Sequence, residues 1–118
     1  MNIKNIVADH VYLACGYTDM RKSVNGLSAL VQYKYNMDPF STSIFIFCGK
    51  SRDIIKALLW EGDGFLMLYK RIEGGKLCWP RNTDELRELT ERELRWLLDG
   101  LSIEQPKAIK KISPNILT

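Results

Sequence analysis

Several signals that usually announce an enzyme or a membrane protein are missing from this chain. There is one histidine, His10, with no recognisable partner, so acid–base chemistry has little to work with. No G-x-x-x-x-G-K-[ST], no G-x-G-x-x-G after a strand and no G-x-S-x-G occurs, which removes the phosphate-cradling and nucleophile-elbow signatures. The acids sit mainly in turns and on one late helical stretch, with no pair placed for two-metal catalysis. Cys15, Cys48 and Cys78 are scattered through apolar runs without C-x-x-C or other metal-ligand spacing, and read as buried free thiols of a reducing compartment. No apolar run approaches a membrane span, and MNIKNIVADH lacks the apolar core of a signal peptide. The expectation is a cytoplasmic, non-enzymatic protein that needs no metal or cofactor and no membrane.

What is present is an ordinary globular composition. The 118 residues, 46% apolar and 26% charged, suffice for one domain with a single core. A net charge of +3 and a pI near 8.8 permit nucleic-acid binding without demanding it.

The chain is organised around residues 54–80, where three β-favouring runs (Ile54–Trp60, Phe65–Arg71, Leu77–Trp79) are separated by Glu61-Gly62-Asp63-Gly64 and Glu73-Gly74-Gly75-Lys76. Glycines at loop centres supply the positive φ of tight hairpins, which predicts an antiparallel meander. With Gly62-Asp63 and Gly74-Gly75 as turn centres, Trp60 pairs with Phe65, Lys56 with Tyr69 and Glu73 with Lys76. Alternation then splits the stretch into two faces. One, with Ile55, Ala57, Leu59, Leu66, Leu68, Ile72, Leu77 and Trp79, is a core face, and Lys70 is its only charge. The other carries Lys56, Leu58, Trp60, Phe65, Met67, Tyr69, Arg71 and Cys78. Two readings of that second face stand open. It is a surface on which cations meet phosphates and aromatics stack or fill pockets, or it is a second buried layer with Lys56 and Arg71 snorkelling from its rim.

Around the meander, Val11–Ala14 reads as a short strand and Ile3, Ile6 and Val7 as a strand or frayed end. Thr18 or Asp19 is placed to cap a helix whose stripe Val24, Leu27, Leu30, Val31 would cover the core face. Gly26 within it would allow close approach to the sheet. Arg21 and Lys22 fall in the first turn, where exposed N–H groups and cations could form an anion site; equally, Arg21 could pair with Asp19. Ile44–Cys48 is wholly apolar and reads as a central strand. Asn82–Glu88 reads as a connecting loop. Thr90-Glu91-Arg92-Glu93 is a capping box opening a second helix with Leu94, Leu97, Leu98 and Leu101 inward and Gly100 as its stop. The predicted architecture is α+β: a β-meander of about 4–5 strands packed against two helices in one domain, residues 1–101, with a basic irregular tail over 102–118.

Three motifs give the chain a family resemblance. The first is Asp19-Met20-Arg21-Lys22 with Gly26-Leu27 and Leu30. The second is Pro39-Phe40 followed by alternating Phe45 and Phe47. The third runs through Ile55-Lys56, Trp60-Glu61-Gly62-Asp63-Gly64-Phe65, Tyr69-Lys70-Arg71-Ile72-Glu73, Gly75 and Trp79-Pro80. In order and spacing these resemble the TnpB-type accessory proteins of insertion sequence 66 family transposable elements, which are unrelated to the RNA-guided nuclease of that name. The match runs from about Val11 to Gly100. Ser51 stands where relatives usually carry another base, and Ile72 and Leu77 replace the usual Leu and Phe. The resemblance implies a protein encoded beside a larger transposase and needed for efficient movement of the element; it implies no known chemistry.

Charge and family context together give the functional expectation, an accessory factor of bacterial DNA transposition that binds element ends or target DNA mainly through phosphates. The residues expected to do so are Arg21, Lys22, Lys50, Arg52, Lys56, Lys70, Arg71 and Lys76. The alternative is a module that docks on the transposase or self-associates, with Trp60, Phe65, Met67 and Tyr69 as its apolar interface and the bases as a polar rim.

Overall fold

The computed structural model describes residues 8–81 and 83–105. The stretch containing Ile3, Ile6 and Val7, and the tail beyond residue 105, lie outside the described residues.

Five strands form one mixed sheet: β1 (His10–Ala14), β2 (Ser43–Cys48), β3 (Ile54–Trp60), β4 (Phe65–Arg71) and β5 (Leu86–Glu88), in the spatial order β4-β3-β2-β1-β5. The hairpin register matches the turn chemistry, with Trp60 opposite Phe65 and Lys56 opposite Tyr69. Gly62 takes φ +92° at the first central position of the turn, a conformation that favours glycine. β2 is buried at every position, as an unbroken apolar run at the centre of a sheet should be. The α+β class stands, but β1 runs parallel to β2, so a helical crossover joins them.

That crossover is α1 (Val24–Ala29), which continues as a π-helical turn over Leu30–Lys34. It covers the face carrying Phe45, Phe47 and Leu58, where Leu27 and Val31 are fully buried, with Phe65 and Met67 packed at the margin. The expected placement over the other face is thereby corrected. The face with Ile55, Ala57 and Leu59 is closed instead by α2 (Glu91–Leu98), through Leu94 and Leu97, together with Leu77, Trp79 and Ile103. The sheet thus lies between two helices, and the second-layer reading of the Lys56 face holds for its centre.

Two further elements depart from expectation. Leu77–Trp79 pairs with no strand; it is a strap over the α2 face, held where the Leu77 N–H donates to Arg52 O (2.8 Å) and the Trp79 Nε1–H to Ala14 O (2.9 Å). The stretch read as a loop before α2 contains β5, antiparallel to β1 with Leu13 opposite Arg87. The capping box of α2 is complete, with the Glu93 N–H donating to Thr90 Oγ1 and the Thr90 N–H donating to Glu93 Oε1.

Candidate nucleic-acid interface

The end of the sheet where β1, β2 and β4 finish and β3 begins gathers most of the cations. Residues 16–22, 49–56 and 69–81 hold nine lysines and arginines against Asp19, Asp53 and Glu73; Asp84 and Glu85, which lead into β5 beside the end of β1, bring the excess there to four, in a chain whose net charge is +3. Residues 35–43 and 57–68, which frame the opposite end, contain no lysine or arginine and carry Asp38, Glu61 and Asp63. The molecule is electrically polar along its strands.

The loop before α1 is fixed to this basic end residue by residue. The Thr18 N–H donates to Cys48 O at 2.9 Å. Met20 lies so close over Gly49 that a Cβ there would sit 2.6 Å from its Cγ, which only a glycine permits. The Asp19 carboxylate accepts from the Arg21 N–H (2.9 Å) and from its Nε (3.0 Å) and Nη2 (2.8 Å). Those bonds hold the Asp19 carboxyl well below the usual carboxylate range and raise Arg21. The Lys22 carbonyl accepts from Lys56 Nζ at 2.7 Å, and the Lys22 stem lies along Gly26, whose missing side chain makes room for it rather than for the sheet.

These contacts sort the expected site residues. Lys56 is corrected: at 8% exposure, with its ammonium donating to Lys22 O, it is a buried anchor for the loop and offers no charge to solvent. Arg21 and Lys22 precede α1, whose N-cap is Ser23, so no helix-terminus anion site forms and Arg21 takes the Asp19 pairing instead. Arg71 pairs with Glu73 (2.7 Å), and Lys76 stands 3.9 Å from Asp53, all at the surface. The Ser51 hydroxyl donates to Asp53, and that bond with the fields of Lys76 and Arg71 lowers its pKa. Lys22, Lys50, Arg52 and Lys70 have no ion-pair or side-chain hydrogen-bond partner among the described residues. Arg52 also adopts φ +63°, a left-handed conformation that costs a residue with a Cβ about 1–2 kcal/mol.

The expected aromatic platform is divided. Met67 and Phe65 pack beside α1, Tyr69 is 56% exposed on the edge strand near the cations, and Trp60 lies at the far, acidic end. There it meets Phe65 edge-on (centroids 4.9 Å apart) and Phe40, which is itself 53% exposed (5.0 Å). Phe40 is not among the residues expected from the sequence, where it shows only as the aromatic straight after Pro39 in the second motif. Nor is Arg81, which the strap brings back to Tyr17 (Nη1 to Oη 2.7 Å).

A family model described as IS66 Orf2 like protein matches residues 9–108, nearly the whole described chain. This chain belongs to that family. It is 29% identical over 97 residues to the uncharacterized protein y4hO of Sinorhizobium fredii (strain NBRC 101917 / NGR234), covering 82% of this chain and 84% of that one. It is 32% identical over 91 residues to the uncharacterized protein y4jC of the same strain, covering 77% and 78%. No solved structure matches. As an IS66 Orf2-like protein it is a transposition-associated accessory protein. None of the helices among its described residues is long and apolar enough to cross a membrane. The contacts above give the motifs of this IS66 Orf2-like chain a physical sense, since Lys56 of the third motif fastens the Asp19–Lys22 loop of the first.

Proposed function

We propose that this transposition accessory protein binds DNA through the phosphate backbone, using the basic end of its sheet. The observation that carries the reading is the concentration of charge, nine lysines and arginines against five acids at one end and no lysine or arginine in the segments framing the other. Phosphates are the ligand such a cluster attracts most strongly, because binding them releases condensed counterions. Lys22, Lys50, Arg52 and Lys70 supply the unpaired charges, Arg21, Arg71 and Lys76 supply charges already oriented by carboxylates, and Tyr69 offers an exposed ring beside them. Lys56 contributes only by holding the loop. In this reading the protein acts by binding beside the element's transposase, which does the chemistry. Titrating the protein against labelled element-end DNA and an unrelated duplex at two salt concentrations tests this. Binding that weakens steeply with salt is expected, and absence of binding at low salt would sink the reading.

The aromatic cluster favours a second contact. Exposed Phe40 with half-buried Trp60 and Phe65 forms an apolar patch beside Glu61, Asp63 and Asp38, which suits a protein partner with basic and apolar side chains, such as the transposase. Co-purification of the two proteins in high salt, lost in Phe40→Ala, is the expected result; retention in that variant would remove the patch from the interface.

A further inference from the structure

The strap from residue 77 to 81 leaves a groove between itself and the chain that follows α2. It holds about 270 Å³ and is lined by Arg52, Arg81, Cys78, Ser102 and Glu104 beside Trp79. Two of these residues are unusual. Arg52 is one of only two non-glycine residues with positive φ among those described, and its backbone is held there by its N–H donating to Gly49 O (3.0 Å) and its carbonyl accepting from Leu77 N (2.8 Å). Glycine would occupy that conformation without strain, yet the position carries a guanidinium that no described residue binds. A strained residue whose side chain does nothing for the fold points to use elsewhere. Arg81, which also lines the groove, is steadied by its bond to Tyr17 Oη and by the ring, 5.8 Å from its guanidinium carbon. The one carboxylate in the lining, Glu104, is paired with Arg87 (3.3 Å), which offsets part of its charge.

We propose that this groove seats a phosphate group between Arg52 and Arg81. The planar forks of two guanidiniums match the oxygens of a tetrahedral oxyanion, and one pre-oriented arm with one unpartnered arm can close on it with little reorganisation. The phosphate comes from the DNA backbone, in which case the inference rests on the function proposed above, or from a free phosphate compound.

Cys78 is a native reporter. Against the expectation of three buried thiols it is exposed and lines the groove, whereas Cys15 and Cys48 are buried and burial pushes the Cys48 thiol up to about 12. An anion in the groove shields Cys78 and disfavours its thiolate, so both effects slow alkylation. The experiment measures the rate at which a maleimide labels Cys78 in the full chain, alone, with inorganic pyrophosphate, and with a short duplex. Several-fold slowing is expected in the native chain and none in Arg52→Gly, a variant that relieves the strained φ and so keeps its thermal midpoint at or above that of the parent. Arg81→Gln is expected to lose the protection as well. Slowing by the duplex alone assigns the phosphate to the DNA backbone, and slowing by pyrophosphate alone assigns it to a free compound. A rate unchanged by either, or slowed equally in both variants, overturns the proposal. DNA binding seen by mobility shift without protection of Cys78 overturns the groove while leaving the DNA reading intact.

Discussion

Lys56 shows how far a residue's role depends on which side of the sheet is covered. Its ammonium, buried under the start of α1, satisfies the Lys22 carbonyl and thereby fixes the loop that displays Arg21 and Lys22. Replacing it by methionine keeps the stem but leaves that carbonyl unpaired, so Lys56→Met should cost about 1–3 kcal/mol of stability, read as a lowered thermal midpoint. Unchanged stability combined with lost DNA affinity would instead return Lys56 to the surface role that its charge suggests. Gly49 and Met20 form a second such pair. Gly49→Ala should destabilise by about 1–3 kcal/mol through overpacking, and Met20→Ala should suppress much of that cost, because the crowding atom is gone. Simple addition of the two effects would contradict the contact. Asp19 gives a sign for pH. Its folded pKa lies below its unfolded value, so the Arg21 pairing stabilises above the unfolded carboxylate range and is lost only as pH falls through the lowered value. A carboxyl NMR titration should therefore place Asp19 well below ordinary aspartates; an ordinary midpoint would mean that the pairing is not formed.

Among the elements, the most locally encoded were the most legible. Gly62 between two alternating runs determines a hairpin register, and the Thr90–Glu93 box determines where α2 starts, since both act within a few residues. Thr90→Ala should accordingly cost about 1 kcal/mol in chemical denaturation, and no change would mean that the cap is idle. What could not be read was decided by distant partners. β5 is three residues of mixed polarity whose identity as a strand comes only from β1. Leu77–Trp79 has the composition of a strand, but the Ala14 carbonyl and the core beneath α2 recruit it as a strap. Which helix covers which face was equally out of reach, because both faces are apolar and α1 can satisfy either until the parallel β1–β2 crossover sets its side. The same ambiguity kept the two readings of the Lys56 face open. Its centre is core, and its rim, with exposed Tyr69 and Arg71 at one end and half-buried Trp60 and Phe65 at the other, reaches solvent.

For the whole molecule, the decisive property is a separation that composition hides. A net charge of +3 looks mild, but the fold brings Lys22, Lys50, Arg52 and Lys70 from three separate segments to one end and leaves Glu61, Asp63 and the Phe40–Trp60–Phe65 cluster at the other. A protein built this way can lie on a phosphate backbone with one end and meet a protein partner with the other. The family makes this chain a transposition-associated accessory protein, and the charge distribution supports the proposed phosphate-binding role. The most direct test is the salt dependence of DNA affinity for the native chain against the triple variant Lys22→Gln, Lys50→Gln, Lys70→Gln, which breaks no ion pair seen in the fold. Neutralising three phosphate contacts should flatten the slope of log affinity against log salt by about 0.9 for each contact while the thermal midpoint stays put. An identical slope and affinity in the two proteins would contradict the claim that the basic end of the sheet is where DNA is held.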